Sequence, residues 1–385
     1  MRVIIQGIES GGMISSFAEE FRRRGDEVIT IAWPERISDK TYDFNLNNCL
    51  VEYIKPRSSL LALIAKLLKS RFFRLYSKFD WRVRAAICSD CDLYIQVSTC
   101  GVSDHRIEDR ILRRIKKANA KIVSIFLGSD VRHYPCFKQE FMPNDWVIPQ
   151  KYDVPLGKKL ARLRLHEKYS DAIFSVPDQM GMAIRPYYHL QLPVDCQRIP
   201  MNLLSRDRPL VVHAPTNRSI KGSDIIESAF DSLKEEGVPF DYLPLYDIPR
   251  ESLLRILGVA DVLVDQLICH GPGWLGHEAM ASGTVVATRF YEDSPRSFRP
   301  PVYSIDQFNI KEKLKVLFES ASIRRRFAVE GRRYVEENHS VESVVQKMID
   351  AVFNGTLPEY HPSFHYKSHN VSEIEVIEEL SKLYS

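Results

Sequence analysis

The sequence lacks any long hydrophobic run. The longest apolar stretch in its early helical region covers residues 60–65 and is far too short to cross a bilayer. The first ten residues, MRVIIQGIES, carry one basic residue and a short apolar run, which is typical neither of a signal peptide nor of a membrane anchor. The seven cysteines are an odd number and are scattered, which disfavours a disulfide framework and suits a reducing compartment. These absences predict a cytoplasmic protein.

There is also little excess of charge of one sign. The 53 Lys and Arg residues against 50 Asp and Glu give a formal net charge of +3, so overall charge indicates neither a nucleic-acid nor a membrane partner. A hydrophobic share of 44% is that of an ordinary globular protein. The length of 385 residues suits two domains of about 150–200 residues, each large enough to fold without metal or disulfides.

Short apolar runs alternate with helical patterns in two successive series. They are continuous rather than alternating in polarity, as in parallel strands buried on both faces. The predicted strands are 2–6, 27–32, 93–97, 121–127 and 172–176, then 209–214, 241–246, 262–265 and 284–288. The predicted helices are 13–24, 105–118 and 156–170, then 222–236, 250–259 and 274–282. We therefore predict two doubly wound α/β domains, 1–197 and 198–357, followed by a tail at 358–385.

A glycine loop opens the first domain. Gly7, Gly11 and Gly12 lie between a strand and a helix, where a diphosphate or sugar can approach backbone amides, so Gly11 and Gly12 are candidate donor-binding residues. The spacing is not that of the dinucleotide fingerprint. A nicotinamide-binding alternative, with Glu35 as the ribose-binding acid, and a tight turn without ligand both stay open.

The second domain carries two further candidate segments. In the first, Asn217, Arg218 and Lys221 precede a glycine and a helix, and the two cations are predicted to hold a diphosphate. In the second, the glycine-rich loop from His270 through Gly273 to Trp274 leads into a short helix. Its Glu278 is predicted to accept hydrogen bonds from two ribose hydroxyls. The alternatives are solvated loop charges in the first segment and a surface carboxylate in the second.

Three other patterns in the sequence each have more than one interpretation. Asp90 and Asp92 fit an Asp-x-Asp metal motif but precede a strand, which favours a helix-to-strand turn. Cys88 and Cys91, with Cys100 and His105, offer a weak zinc alternative, and we predict no metal. Residues 55–84 hold nine basic residues and one acid along an apolar stripe. This pattern predicts either a core-facing helix with a solvated basic side or a helix that docks on an anionic membrane surface.

At these residues the sequence resembles the retaining GT-B glycosyltransferases of family 4. Lys221-Gly222 and Arg218 match the family's phosphate-binding residues, and the stretch around Glu278 matches its ribose-binding helix. Residues 260–266 resemble the strand before that helix. Residues 128–132 resemble a loop that faces the sugar or acceptor, which implicates Ser129, Asp130 and His133. One departure concerns the donor sugar: His270 stands where the family usually has a second glutamate.

The resemblance implies a GT-B fold, with two Rossmann-like parallel-sheet domains facing a cleft and a C-terminal helix, about 370–385, packed back on the first domain. It implies a glycosyltransferase, of hexosyltransferase type, that moves a sugar from a UDP- or GDP-linked donor to a glycan, lipid-linked or other acceptor. The expected reaction is retaining, independent of metal and cofactor, and part of cell-surface polysaccharide or glycoconjugate biosynthesis, without a nucleic-acid partner. Arg218 and Lys221 would be catalytic; in an inverting reaction Asp130 or His133 would be the base. A GT-B epimerase and a non-catalytic nucleotide-sugar-binding protein stay as alternatives.

Overall fold

The structure is a computed structural model. It describes residues 1–34, 42–45, 88, 90–98, 105–128, 130–132, 156–176, 182–203, 206–290 and 299–360. These residues form two compact units, each built on its own sheet. Unit 1 holds the described residues up to 132, together with 156–190 and 345–360, and unit 2 holds those between 191 and 344. Along these ranges, no helix combines the length and the apolar character that a membrane span requires.

Unit 1 contains a seven-stranded sheet in the order β3-β2-β1-β4-β5-β6-β7. Every neighbouring pair is parallel. The strands are β1 (Arg2–Glu9), β2 (Glu27–Pro34), β3 (Phe44–Asn45), β4 (Leu93–Val97), β5 (Lys121–Ile125), β6 (Ala172–Ser175) and β7 (Tyr188–His189). The helices described between them are α1 (Met13–Arg23), α2 (His105–Lys117) and α3 (Leu156–Tyr169).

Unit 2 contains a five-stranded parallel sheet in the order β12-β11-β10-β8-β9. Its strands are β8 (Leu210–His213), β9 (Asp241–Pro244), β10 (Val262–Val264), β11 (Val285–Thr288) and β12 (Tyr303–Ser304). Its helices are α4 (Arg218–Lys221), α5 (Ser223–Glu235), α6 (Arg250–Leu257), α7 (Trp274–Ser282), α8 (Ile310–Glu319) and α9 (Ala321–Asn338). A further helix, α10 (Val341–Ile349), begins in unit 2 and ends in unit 1, where it continues into a π-helical turn at Asp350–Asn354.

Both faces of the unit 2 sheet are buried. Val262 and Val264 pack on one face with Phe230 of α5 and Leu314 of α8. Leu263, on the other face, packs in a separate core cluster with side chains of α6, α7 and α9. This arrangement explains the unbroken apolar runs in the sequence, because neither face of these strands contacts water. The prediction of two doubly wound parallel α/β domains is confirmed.

The chain re-enters unit 1 after residue 344. Tyr360 forms an antiparallel bridge with Tyr187, and its hydroxyl lies 2.8 Å from Nδ1 of His189. The Tyr188 hydroxyl donates to the Thr356 carbonyl at 2.5 Å. Residues on both sides of the predicted tail boundary at 358 therefore pack on the edge of the unit 1 sheet. The predicted helix at about 370–385 lies outside the described residues.

Gly7 lies very close to the backbone of β4, and its replacement gives a test of this packing. A Cβ at this position would lie 1.8 Å from the Val97 carbonyl oxygen, and the φ of 150° is itself unfavourable for other residues. We expect Gly7→Ala to lower the free energy of unfolding by about 3–5 kcal/mol, measured by urea denaturation. Gly25→Ala is the control: it has a φ of 87° and open space around the Cβ, so it should cost only about 1–2 kcal/mol. Equal losses for the two variants would contradict the packing argument.

Candidate functional site

The first candidate segment of unit 2 follows β8. The side-chain oxygen of Asn217 accepts a hydrogen bond from the Ile220 amide at 3.2 Å, so Asn217 caps the four-residue helix α4. Gly222 ends α4 in the left-handed region, with a φ of 72°. A Cβ on Gly222 would lie 3.2 Å from Cβ of Leu267, in the loop after β10. This close approach places the end of α4, and with it Lys221, against the carboxyl end of β10.

Lys221 is held by two acceptors that directly follow β10. Its ammonium donates to Oδ1 of Asp265 at 2.6 Å and to Oε1 of Gln266 at 2.9 Å. The lysine side chain is 15% exposed, whereas that of Asp265 is only 2% exposed. Burial raises the pKa of the Asp265 carboxyl, but the Lys221 ammonium and the Gly273 amide outweigh it and hold the pKa below its usual value. The pair is therefore an ion pair at neutral pH.

The glycine-rich loop before α7 is attached to the same acid and amide. The Gly273 amide donates to Oδ2 of Asp265 at 2.9 Å, and Nε2 of Gln266 donates to the Gly271 carbonyl at 2.6 Å. A Cβ built on Gly273 would lie 3.6 Å from Nζ of Lys221. The structure thus brings Lys221 next to the N-terminal end of α7, where the first helical amides have no partners within the helix.

Glu278 lies one turn into α7, and its side chain is 5% exposed. It forms an ion pair with Arg250, the first residue of α6. Burial raises the pKa of the Glu278 carboxyl above its ordinary value, while the Arg250 guanidinium partly opposes that rise. Glu278 is therefore a buried acceptor with an arginine partner rather than a surface carboxylate.

Two aromatic residues of the loop have distinct environments. The His270 ring stacks on Phe290 with centroids 4.8 Å apart. Burial, with a contribution from Arg289, lowers the pKa of His270 to about 3, so the ring is neutral. The indole N–H of Trp274 is buried and has no hydrogen-bond acceptor within the described part of the chain. His270 therefore contributes no charge to the loop.

Arg218 lies apart from the Lys221 cluster. Its guanidinium donates to Asp224 at 2.7 Å, to Glu227 at 2.6 Å and to the Tyr246 hydroxyl at 2.9 Å. Its hydrogen bonds lower the pKa of Glu227 to about 2. Although Arg218 and Lys221 are three residues apart, Arg218 turns toward α5 and Lys221 toward β10. Arg218 could contact a diphosphate only if phosphate oxygens replaced the carboxylates of Asp224 and Glu227 as its hydrogen-bond acceptors.

His213, at the end of β8, supports the site without entering it. It is fully buried, donates from Nδ1 to the Val264 carbonyl at 2.7 Å and accepts at Nε2 from the Ser223 hydroxyl at 2.8 Å. Burial lowers its pKa, which keeps the ring neutral. These bonds connect β8, β10 and the start of α5.

In unit 1, the acid that precedes the glycine loop binds the backbone after it. Gly11 and Gly12 have φ values of 60° and 85°, and the following α1 begins at Met13. The Glu9 carboxylate accepts hydrogen bonds from the amides of Ile14 and Ser15 at 3.2 and 3.1 Å. These two amides at the start of α1 are therefore engaged by Glu9 in this structure, and donor binding by Gly11 and Gly12 stays a prediction.

Asp130 likewise forms a hydrogen bond within its own loop. It is 2% exposed, and Oδ1 accepts a hydrogen bond from the Leu127 amide at 3.1 Å. The other two predicted residues of this region, Ser129 and His133, lie outside the described residues, as do Glu35, Cys100 and the basic stretch 55–84.

The Asp-x-Asp pattern lies in a turn before β4. Asp92 accepts a hydrogen bond from the Arg2 amide at 2.7 Å, and Asp90 forms an ion pair with the Arg2 guanidinium. The carboxylates therefore anchor the start of β1. Cys91 contacts the Cys88 carbonyl through its sulfur at 3.3 Å, and no group of three or more metal-ligating side chains occurs within the ranges the structure describes.

No protein-family model and no curated protein sequence matches this chain. Solved structures match it over most of its length. Sucrose-phosphate synthase from Thermosynechococcus elongatus is 14% identical with a TM-score of 0.57, and the match covers 92% of this chain and 100% of that one. A TarM variant from S. aureus, in complex with fondaparinux, alpha-GlcNAc-glycerol and UDP, is 11% identical with a TM-score of 0.56 over 91% and 99% of the two chains.

A third match is the catalytic domain of starch synthase IV from Arabidopsis thaliana, bound to ADP and acarbose. It is 10% identical with a TM-score of 0.53, and the match covers 92% of this chain and 98% of that one. At such low identity these likenesses establish the fold and nothing finer. The chain has the GT-B fold, and the resemblance found in the sequence is confirmed at that level.

Proposed function

We propose that the chain is a glycosyltransferase that moves a sugar from a nucleotide donor to an acceptor. The observation that carries the proposal is the place of Lys221. Its ammonium is fixed beside the amide end of α7, at the carboxyl edge of a parallel sheet. Ligands of open α/β sheets bind at this edge, and cations and helix amides together are suited to a diphosphate.

The chemistry follows from where charge develops. Breaking the bond between sugar and diphosphate builds negative charge on the departing phosphate oxygens. A fixed ammonium and the first amides of α7 stabilise that charge without a divalent metal, and each charge-assisted hydrogen bond contributes about 1.5–3 kcal/mol. The UDP and ADP present in two of the similar structures support a nucleoside diphosphate as the leaving group.

Glu278 gives the donor its second anchor. A buried carboxylate can accept hydrogen bonds from the two vicinal hydroxyls of a ribose, and Glu278 is on the same helix whose N-terminal end faces Lys221. The Arg250 guanidinium favours the ionised form of this carboxylate and partly opposes the effect of burial. The nucleotide would therefore bind along α7, with its diphosphate toward Gly273 and its ribose toward Glu278.

Turnover over a panel of nucleotide sugars tests the proposal. Nucleotide release that requires an acceptor and persists in EDTA is the expected result, and the anomeric configuration of the product, expected to be retained, can be read by NMR. Turnover without an acceptor would indicate an epimerase. Donor binding without any nucleotide release would indicate a non-catalytic binding protein.

We also propose a lipid-linked acceptor, approached through the basic stretch 55–84. Each Lys or Arg near an anionic membrane contributes about 1 kcal/mol, so nine of them suffice for peripheral binding. The full chain should co-sediment with vesicles rich in anionic lipid at low salt and be released at high salt, while neutral vesicles serve as the control. Absence of salt-sensitive binding would remove this part of the proposal.

A further inference from the structure

Asp265 and Gln266 form a buried acid–amide pair directly after β10. Between them they bind the two elements that would receive an anion, the end of α4 and the loop before α7. Asp265 accepts from Lys221 through one oxygen and from the Gly273 amide through the other, at 2.6 and 2.9 Å. Gln266 accepts from Lys221 at 2.9 Å and donates to the Gly271 carbonyl at 2.6 Å. Each residue thus contacts both elements.

These contacts leave the lysine one direction in which to bind. An ammonium has three N–H donors, and within the described residues Lys221 uses two of them, on Asp265 and Gln266. A free lysine side chain loses about 2 kcal/mol of rotamer freedom when it is fixed. Here folding has already restricted the side chain, so a ligand would not have to.

The carboxylate lies beneath the ammonium. The Asp265 side chain is 2% exposed and that of Lys221 is 15% exposed. A Cβ on Gly276, in the first turn of α7, would lie 3.3 Å from Oδ2 of Asp265, so the acid is covered by the helix. A ligand in solution can therefore reach Lys221 while Asp265 stays below it, and the carboxylate does not compete for the same space.

We propose that Asp265 is a positioning residue, assisted by Gln266, that fixes the Lys221 ammonium and the Gly273 end of α7 in the arrangement that receives the diphosphate. The identity of the anion rests on the proposed function. The positioning itself rests on the contacts described above.

The direction in which one substitution changes anion affinity distinguishes a positioning role of Asp265 from a purely electrostatic effect. Asp265→Asn removes a negative charge a few ångströms from the anion, and on electrostatic grounds alone this would strengthen anion binding. An asparagine, however, has one oxygen for two donors, and its NH₂ group faces one of them. Positioning therefore predicts weaker binding, in opposition to the charge effect.

The test measures the affinity of the full chain for inorganic pyrophosphate by calorimetry, in a double-mutant cycle of Lys221→Met and Asp265→Asn. We expect each single variant to lose about 10- to 100-fold in affinity and the double variant to bind no more weakly than Lys221→Met. Equal or tighter binding by Asp265→Asn would overturn the proposal. The proposal would also be overturned if Asp265→Asn weakened pyrophosphate binding as much in the Lys221→Met background as it does alone. Absence of pyrophosphate binding by the unmodified chain would overturn it too.

Asp261→Asn is the matched control. Asp261 is a buried aspartate at the opposite end of β10 and likewise binds one cation and one backbone amide, Arg206 at 3.0 Å and Leu210 at 2.8 Å. The Asp261→Asn variant should lose about as much thermal stability as Asp265→Asn and should keep the pyrophosphate affinity of the unmodified chain. If Asp265→Asn does not fold, Gln266→Met provides a second test, with an expected loss of about 3- to 10-fold; unchanged affinity there would contradict the proposal.

The pyrophosphate-binding cycle and the nucleotide-release assay for sugar transfer can fail independently of each other. Pyrophosphate binding that follows the cycle, without turnover of any donor, would refute the proposed function and leave the positioning role standing. Turnover by the unmodified chain, together with full pyrophosphate affinity in Asp265→Asn, would do the reverse.

Discussion

Replacing Lys221 by methionine is expected to lower the rate of sugar transfer by about 100- to 1000-fold, because a fixed donor aimed at the leaving diphosphate acts mainly in the transition state. The loss should appear chiefly in kcat, measured by nucleotide release at saturating donor. Methionine keeps the length and apolar stem of the lysine and removes only the ammonium.

This variant needs a control for folding. Without the ammonium, the buried Asp265 carboxylate loses its partner, which costs about 3–5 kcal/mol of stability. The double variant Lys221→Met/Asp265→Asn removes that penalty and should be as inactive as the single one. Lys234→Met, on the exposed side of α5, should keep the unmodified rate. A double variant that is folded and within threefold of the normal rate would contradict the role of Lys221.

Replacing Glu278 by glutamine is expected to weaken donor binding by about 10- to 100-fold. The amide keeps one acceptor oxygen and loses the other, together with the charge, so one charge-assisted hydrogen bond of about 1.5–3 kcal/mol is lost. Calorimetry with an intact nucleotide sugar measures the effect. Glu167→Gln in unit 1 is the matched control, since Glu167 is also buried, pairs with an arginine and has a pKa raised by burial. Unchanged donor affinity in Glu278→Gln would refute the assignment.

The same carboxyl predicts a pH dependence of donor affinity. Burial raises the pKa of Glu278 above its ordinary value, and only the ionised form accepts two hydroxyl hydrogens. Affinity should therefore be full at neutral pH and be lost as the pH falls through the raised pKa. Arg250→Met, which removes the group that opposes this rise, should shift the loss to higher pH, and Glu278→Gln should abolish it. An intact nucleotide sugar is required, because the terminal phosphate of a free nucleoside diphosphate itself titrates near about pH 6.

The strands were predictable from the sequence because burial on both faces leaves a simple signature. Val262–Val264 and Val285–Thr288 each fall within one residue of the predicted runs at 262–265 and 284–288. Gly283 ends α7 in the left-handed region, with a φ of 84°, directly after the predicted helix at 274–282. Strand β12 and helices α8 to α10 were not predicted. They follow the last predicted strand and contain none of the motifs on which the predictions depended.

The pairings within the site were not predictable in the same way. Lys221 and Asp265 are 44 residues apart, and Arg250 and Glu278 are 28 apart, so neither contact leaves a local pattern. One signal was present: an aspartate that ends a buried apolar run needs a cation, and Lys221 was the nearest functional candidate. The direction of Arg218 depends on Glu227 and Tyr246, which local spacing does not encode.

The central claim is that the Lys221 ammonium and the start of α7 hold the diphosphate of a nucleotide sugar. A crystal structure with an intact donor tests it most directly. The account predicts a phosphate oxygen at about 3 Å from Nζ of Lys221, on the side away from Asp265, with the ribose hydroxyls on Glu278. A nucleotide bound elsewhere, with Lys221 contacting only Asp265 and Gln266, would contradict it.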